Sequence, residues 1–290
     1  MKATVFLLLV TLCSPHSFGQ AQQIGDSQPF ILGETDAIQS RILSEKRVLN
    51  IYLPEGYDDD DTLRYPVVYL LDGSADEDFI HVVGLYQFSS FPWVNRAPKS
   101  IIVGIANMDR KRDFTFPSSI AEEQKRYPTA GKSNLFIQFI KQELQPYIEQ
   151  KFKTNHSRTI IGESLGGLLA TEILLREPRL FNQYIIISPS LWWDNGSLLE
   201  APSSLLEKSF TSGTSIYIGV GKEGLTPSPA PRVMEVDANL LAEKIRSSKS
   251  DSVHVYFDYL PQENHATIAH QAVMNALRLI YTGNVKDQDN

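Results

Sequence analysis

Cysteine is almost absent from this sequence: Cys13 is the only one among 290 residues. A chain with one cysteine has no internal disulfide and no cysteine zinc site. Because Cys13 lies in an N-terminal segment that we expect to be removed, the mature chain would also lack a thiolate nucleophile. A chain of this length buries a core large enough to be stable without disulfides.

Basic charge and metal-binding motifs are also scarce. The sequence has 27 Lys and Arg against 34 Asp and Glu, a net charge of −7 and a pI near 5.4. Nucleic-acid-binding surfaces need a basic patch, so this balance argues against a nucleic-acid partner. It also gives no reason to expect an anionic membrane surface as partner. Neither an H-E-x-x-H motif nor a paired-histidine spacing supports metal catalysis.

The N-terminal segment is typical of a secretory signal peptide. Lys2 precedes the apolar run of residues 5–13, and helix breakers and small residues follow up to Gly19. The run is shorter than the roughly 20 residues that span a bilayer, but it suits the short apolar core of an export signal. The sequence predicts a signal peptide over residues 1–19 and export to the periplasm or the extracellular space. It also predicts no membrane span in the mature form and a single domain over residues 20–290. A buried N-terminal helix is the alternative, but the segment has no amphipathic period.

Short apolar segments alternate with helical patterns along the rest of the chain. Residues 37–43 and 48–53 alternate between polar and apolar, which predicts an antiparallel pair at one edge of a sheet. Other runs are nearly all apolar, as in parallel strands buried on both faces: residues 66–71, 100–106, 158–162, 183–188, 214–220 and 253–259. Helical patterns cover residues 134–152, 164–178, 233–248 and 265–281. This order predicts an α/β fold with a mainly parallel, doubly wound sheet and an antiparallel N-terminal edge.

Two long connections, residues 72–99 and 107–132, each follow a predicted strand. Both would therefore lie at the carboxyl edge of the sheet, where α/β proteins place their ligands. The first connection is rich in aromatic residues. It is interpreted either as part of a binding site or as a surface segment that packs around a small core of its own.

The stretch "TIIGESLGG", residues 159–167, contains the pattern G-x-S-x-G between a predicted strand and a predicted helix. In this motif the chain reverses sharply at the serine, and the hydroxyl projects free of the sheet. Bulky residues at Gly162 and Gly166 would collide across so tight a turn. The helix that begins at Leu165 directs its N-terminal amides toward charge that develops near Ser164. Ser164 is therefore the candidate nucleophile, the alternative being a glycine-rich turn with an idle serine.

A serine hydroxyl needs a base, and His265 is the best candidate. His265 follows the last strand directly, so it is expected at the same edge of the sheet as Ser164. It also comes last in the order nucleophile, acid, histidine that α/β-hydrolases use. The other histidines of the mature chain are in less suitable positions. His81 lies in the aromatic connection and His156 precedes a predicted strand, whereas His254 and His270 lie within a predicted strand and a predicted helix.

The acid is expected after the strand of residues 214–220, where "GKEG" follows and Glu223 is the first choice. Asp237, in a helical pattern, is the second choice. Asp258 lies within the last predicted strand, where its side chain is less able to reach the histidine.

Two backbone amides would form an oxyanion hole. One comes from Leu165, directly after the serine, and the other from the loop after residues 66–71. In that loop Ser74 is the first choice and Gly73 the second.

Several segments together resemble the putative esterase family of α/β-hydrolases: "VYLLDG", "IIVGIANMDRKRDFTFP", "IIGESLGGLLATEILLREPRLFNQYIIISPSLWWDN", "YIGVGKEG" and "PQENHAT". This family includes esterase D, feruloyl esterases and siderophore esterases, and the resemblance is strongest to the siderophore-esterase-like branch. The resemblance implies that Ser164 and His265 are nucleophile and base, with Ser74 and Leu165 at the oxyanion hole. It further implies that Arg110 and Trp193 face the site. Relatives often use Asp as the acid, and some siderophore esterases manage with a Ser–His pair, which leaves the role of Glu223 open.

The combined interpretation is an exported serine esterase that acts on a small-molecule ester and needs no cofactor or metal. Acyl transfer on the same fold is one alternative, because transfer and hydrolysis differ only in the acceptor. A binding protein without turnover is the other. The sequence makes no prediction of the natural ester or of the oligomeric state.

Overall fold

The computed structural model describes residues 28–60 and 62–282. The chain divides into two units, residues 1–32 and residues 33–290. In the first unit, the described residues 28–32 carry no regular secondary structure. The predicted signal peptide, residues 1–19, lies outside the described residues. Every element discussed below belongs to the second unit.

Within the described residues, eight strands form one sheet. They are β1 Glu34–Ser40, β2 Glu45–Tyr52, β3 Tyr65–Leu70, β4 Ile101–Ile105, β5 Thr154–Glu163, β6 Gln183–Ile187, β7 Thr214–Gly221 and β8 Val253–Leu260. Their spatial order is β1-β2-β4-β3-β5-β6-β7-β8. β1 and β2 pair antiparallel, β2 also runs antiparallel to β4, and the pairs from β4 to β8 are parallel. The predicted fold, with its antiparallel N-terminal edge, is confirmed.

Burial explains why the central strands are apolar throughout. All six residues of β3 and all five of β4 are buried, because helices cover both faces of a parallel sheet. The edge strand β1 instead shows mostly exposed and half-buried side chains.

Helices fill the connections between the strands. They are α1 Phe79–Ser89, α2 Arg110–Phe114, α3 Ala121–Arg126, α4 Ser133–Phe139, α5 Gln145–Lys151, α6 Leu165–Arg176, α7 Met234–Arg246 and α8 Ile268–Thr282. The four predicted helices are present, whereas α1, α2 and α3 occur in the two connections for which no helix is predicted. No helix in the described part of the chain is both long and apolar enough to cross a membrane.

The predicted helix over residues 134–152 contains a local irregularity. A π-helical turn, Ile140–Leu144, joins α4 to α5. Pro146 follows in the first turn of α5. Proline lacks an amide donor and its ring collides with the carbonyl four residues earlier in a regular helix, so the wider π turn accommodates it.

The parallel strands all end at the same edge of the sheet. The loops after β3, β5, β6, β7 and β8 therefore meet there, and these loops carry Asp72, Ser164, Ser188, Glu223 and His265. This edge holds the candidate site.

Candidate active site

Ser164 occupies a strained turn between β5 and α6. Its backbone has φ 58° and ψ −116°, a conformation that costs a non-glycine residue about 1–3 kcal/mol. A Cβ atom on Gly162 would lie 2.4 Å from the carbonyl oxygen of Gly166, so only glycine fits at position 162. On Gly166 a Cβ atom would come within 3.2 Å of Asp72 Oδ2. Close approach of the backbone thus requires glycine at position 162, whereas a Cβ at position 166 would make a tight contact with the Asp72 side chain only.

Ser164, His265 and Glu223 form a continuous hydrogen-bonded chain. Ser164 Oγ lies 3.0 Å from His265 Nε2. On the other side of the ring, His265 Nδ1 lies 2.6 Å from Glu223 Oε2. With the proton on Nδ1, the ring donates to the carboxylate and accepts from the serine hydroxyl. The structure therefore brings together the three residues that the sequence indicates, in the arrangement of a nucleophile, a base and an orienting acid.

The hydrogen bond between Glu223 and His265 favours the charged form of both side chains. Burial alone would raise the pKa of Glu223, but hydrogen bonds from His265 and Ser188 outweigh it and hold that pKa below its usual value. The Glu223 side chain is only 4% exposed. Its hydrogen bond to His265 raises the pKa of the imidazole above 6.5, while burial of the ring opposes this shift. Glu223 thus favours the protonated form of His265 over the neutral form.

A second carboxylate, Glu163, lies beside the candidate nucleophile. It precedes Ser164 in the chain and lines a cleft together with Ser164 and His265. Burial raises the pKa of Glu163 to about 7, and the neighbouring charge of Asp78 adds to that shift. Near neutral pH this side chain therefore carries only part of a negative charge.

The other candidate acids have different partners. Asp237 accepts hydrogen bonds from Arg232 Nε at 2.8 Å and Nη2 at 2.8 Å. Asp258 accepts from the Tyr217 hydroxyl at 2.9 Å and from Asn275 at 2.7 Å. Both carboxylates are engaged in contacts that support packing of the fold, and of the three candidates Glu223 is the one that contacts His265.

Among the alternative histidines, His81 on α1 and His270 on α8 contact each other, with 2.5 Å between Nε2 and Nδ1. Neither of these rings takes the place of His265 at the serine hydroxyl. In the part of the chain that the structure describes, no group of three or more His, Cys, Asp or Glu side chains is arranged to hold a metal ion.

The candidate oxyanion-hole amides differ in how far they are already engaged. Leu165 is the first residue of α6, and amides in the first turn of a helix have no intrahelical acceptor. Gly73 N–H donates to the Ile105 carbonyl at 3.1 Å. Ser74 N–H makes only a long contact, 3.4 Å, with Glu77 Oε2. Ser74 is therefore the freer of the two donors in this loop.

Arg110 lines the site but is held by an ion pair. Its guanidinium contacts Asp72 through Nε at 2.6 Å and Nη2 at 2.9 Å, and Nη2 also donates to the Glu163 carbonyl at 3.2 Å. Asn107 donates to Asp72 as well, at 2.6 Å. Asp72 has a positive φ of 53°. Arg110 thus connects the loop after β3 with the turn at Ser164, and its side chain borders a cleft beside that serine.

The two tryptophans of "SLWWDN" have different environments. Trp193 is 2% exposed, and its indole N–H donates to the Phe116 carbonyl at 2.8 Å. It lines only a small cavity of about 160 Å³ next to Ser164. Trp192 lines this cavity and also a larger cleft that includes Ser164. The family resemblance pointed to Trp193, whereas Trp192 is the one that lines the larger cleft.

Two clefts of about 420 Å³ each are lined by Ser164 and His265. The first is mainly apolar and includes one cation; its walls contain Trp192, Lys222, Leu225, Pro227 and Met234. The second is acidic; its walls contain Asp72, Glu77, Asp78, Arg110 and Glu163. A substrate at Ser164 would therefore meet surfaces of contrasting character.

Two supporting residues were missed by sequence reasoning. Ser188 donates its hydroxyl to Glu223 Oε1. Glu235 Oε1, on α7, accepts hydrogen bonds from the backbone N–H of Glu223 at 2.8 Å and from that of Gly224 at 3.1 Å. The only sequence signal for Ser188 is its place directly after a strand, and Glu235 has none, because its contact depends on how α7 docks.

Replacing Glu223 with glutamine should lower kcat for ester hydrolysis at least about 10-fold with little change in stability. Glutamine keeps the shape of the side chain but cannot stabilise the imidazolium. The pKa of His265 should fall, so the acidic limb of the kcat/KM profile should move to lower pH. Glu163 also raises this pKa and Arg110 lowers it, and both are retained in the variant.

Asp237→Asn is the matched control for Glu223→Gln, since it alters a buried carboxylate whose partner is Arg232. It should affect the melting temperature more than kcat. If only Asp237→Asn lowers kcat, Glu223 is the wrong acid. If neither substitution does so, the site works as a Ser–His pair.

Comparisons with known proteins agree with this geometry. Residues 40–259 match the family described as "Putative esterase". The chain is 27% identical over 267 residues to the ferri-bacillibactin esterase BesA of Bacillus subtilis, covering 88% of this chain and 92% of that protein. It is 31% identical to an IroE-like serine hydrolase from Shewanella oneidensis, with a TM-score of 0.76 and coverage of 88% and 82%. The siderophore hydrolase EstA from Aspergillus nidulans, 18% identical with a TM-score of 0.72 and coverage of 92% and 100%, shares the fold. The chain therefore belongs to the Putative esterase family of α/β-hydrolases and is related to enzymes that hydrolyse esters.

Proposed function

We propose that this protein is a serine esterase that hydrolyses carboxylic esters through an acyl-enzyme on Ser164. The observation that carries the proposal is the hydrogen-bonded chain from Ser164 Oγ through His265 to Glu223. Strain at Ser164 adds support, since a residue held at positive φ at a cleft is typical of a functional site.

The reaction follows from the positions of these groups. Ser164 Oγ attacks the ester carbonyl while His265 Nε2 takes the hydroxyl proton. The amides of Leu165 and Ser74 stabilise the negative oxygen of the tetrahedral intermediate. His265 then gives the proton to the departing alcohol, which leaves Ser164 acylated. Water, activated by His265, attacks the acyl group and releases the carboxylic acid and the free serine.

The first cleft suits an aryl or siderophore-type ester. Trp192, Leu225 and Met234 supply apolar surface for a ring, and Lys222 supplies a positive charge at the same wall. Among the described residues, Lys222 has no ion-pair partner. Acidic side chains in the second cleft disfavour an anionic group there. Substrate groups with anionic or phenolic character are therefore expected beside Lys222.

A panel of esters tests this assignment. We expect kcat/KM to be higher for a catecholate trilactone siderophore, free or iron-loaded, than for p-nitrophenyl butyrate. Lys222→Ala should lower kcat/KM for the siderophore and leave the p-nitrophenyl ester unaffected. Two results would contradict the substrate class. One is an equal loss of kcat/KM on both substrates in Lys222→Ala, and the other is efficient cleavage of simple esters without hydrolysis of the siderophore. Either result would leave the esterase assignment intact.

Two other functions give different results with the same materials. An acyltransferase would direct the acyl group to an added alcohol in preference to water, which product analysis detects. A binding protein would retain the ester without turnover, and Ser164→Ala would then change nothing.

We further propose that the protein is exported. The support is the N-terminal sequence, in which Lys2, the apolar run of residues 5–13 and Gly19 match an export signal. Mass spectrometry of the protein isolated from its native host should find an N-terminus near Gln20. Secreted protein that still begins at Met1 would refute the cleavage.

A further inference from the structure

The acid of this site is a glutamate, whose side chain has one more rotatable bond than that of aspartate. Binding His265 through one oxygen leaves rotation about the carboxylate unrestrained. A freely rotating carboxylate would spend part of its time without the imidazole and would lose side-chain entropy whenever it engaged. In this structure the second oxygen, Oε1, also has a partner, the hydroxyl of Ser188.

Ser188 is fixed more firmly than a surface serine would be. It is fully buried, with 0% exposure. It follows the last residue of β6 with a positive φ of 40°, and its own N–H donates to the Gly219 carbonyl on β7 at 2.8 Å. Its hydroxyl is therefore presented to Glu223 from a rigid part of the sheet edge.

We propose that Ser188 is a positioning residue that orients the Glu223 carboxylate toward His265, an inference that rests on the proposed esterase function. Ser188 holds Oε1, so that Oε2 remains aimed at His265 Nδ1. The chain of hydrogen bonds thus extends over four residues: Ser164, His265, Glu223 and Ser188.

The surrounding backbone is anchored independently of this hydroxyl. Glu235 accepts the N–H groups of Glu223 and Gly224. Lys222 N–H donates to the Glu263 carbonyl at 2.8 Å. Removing the Ser188 hydroxyl should therefore disturb the orientation of the carboxylate and leave the loop in place.

Ser188→Ala should lower kcat for a p-nitrophenyl ester roughly 10-fold with KM nearly unchanged. Ser188 contacts Glu223 and not the substrate, and loss of a hydrogen bond that orients a reacting group typically has this effect. Ser188→Gly is the second variant, because glycine tolerates the positive φ and equally lacks the hydroxyl. The two variants should lose similar activity, since both lack the same hydrogen bond. If one of them fails to fold, as seen by circular dichroism, the other supplies the measurement.

A double-mutant cycle separates positioning from a merely structural role. In the Glu223→Gln background, Ser188→Ala should cost less than about 2-fold in kcat, because the carboxylate that it orients is gone. A structural role would instead cost the same factor in both backgrounds, and that result would overturn the proposal.

Ser40→Ala is the matched control. Ser40 is also fully buried and donates its hydroxyl to a glutamate, Glu143, at 2.5 Å, but it lies on the edge strand β1. This variant should lose stability and keep kcat. If Glu223→Gln lowers kcat and the Ser188 variants do not, the positioning role is wrong while the esterase assignment holds. If Glu223→Gln also has no effect, the role of Glu223 in the proposed function fails, and the role of Ser188 fails with it.

Discussion

Ser164→Ala should lower kcat for ester hydrolysis by about 10³-fold or more while the protein remains folded. The alanine variant keeps the strained backbone of the turn but has no oxygen to form the acyl-enzyme. The residual rate would come from substrate binding and from the amides of Leu165 and Ser74. Kinetics on a p-nitrophenyl ester and a melting curve by circular dichroism measure the two effects separately.

Ser190→Ala is the control for this variant. Ser190 Oγ lies 3.3 Å from Ser164 Oγ, and the residue is buried at the same site. Within the described residues, no histidine is hydrogen-bonded to it. It should retain most of the activity. Near-normal turnover in Ser164→Ala together with a large loss in Ser190→Ala would show that the G-x-S-x-G interpretation is wrong.

His265→Ala should cost about as much activity as Ser164→Ala. Without the imidazole the serine hydroxyl keeps its proton at neutral pH, and the departing alcohol has no proton donor. Because nucleophile and base act as a unit, the Ser164→Ala and His265→Ala double variant should be little worse than either single variant. Steady-state kinetics on the three variants, with the wild type in parallel, provide the comparison.

His81→Ala serves as the matched histidine control, since His81 pairs with His270 and not with the serine. Its kcat should stay within about 2-fold of the wild type, as expected for a surface change away from the reacting groups. If the losses of the two single variants multiply in the double variant, Ser164 and His265 act independently and the proposed mechanism fails.

The sheet could be predicted well from the sequence because its strands are buried on both faces. In β3 and β4 every residue is buried, so near-continuous apolar runs mark them clearly. The antiparallel edge was visible in the alternation of β1 and β2. The meeting of Ser164 and His265, the proposed nucleophile and base, was also predictable, since a local motif and chain order place both residues at strand ends.

The helices of the long connections were missed for a physical reason. In α1 the buried residues Phe79, Val82, Val83 and Tyr86 follow a helical period. The exposed positions Ile80 and Phe88 are apolar as well, so the helix has apolar residues on nearly all sides and its period is hidden in the sequence. α2 and α3 have only five and six residues. Segments this short are set by tertiary packing more than by intrinsic propensity.

Contacts between residues far apart in the sequence could not be predicted from it either. Ser188 and Glu223 come from different strand ends, and Arg110 reaches Asp72 from a separate connection. Such pairs become apparent only when the order of the strands in the sheet is known. This explains why the residues of the proposed catalytic site could be selected from the sequence and the residues that contact them could not.

Covalent labelling tests the central claim, that Ser164 is the nucleophile, most directly. An organophosphonate should add once per molecule, abolish esterase activity in proportion to the adduct, and map by peptide mass spectrometry to Ser164. His265→Ala should react far more slowly, because the serine is no longer activated. An adduct on Ser188 or Ser190, or full esterase activity in protein labelled at Ser164, would contradict the account.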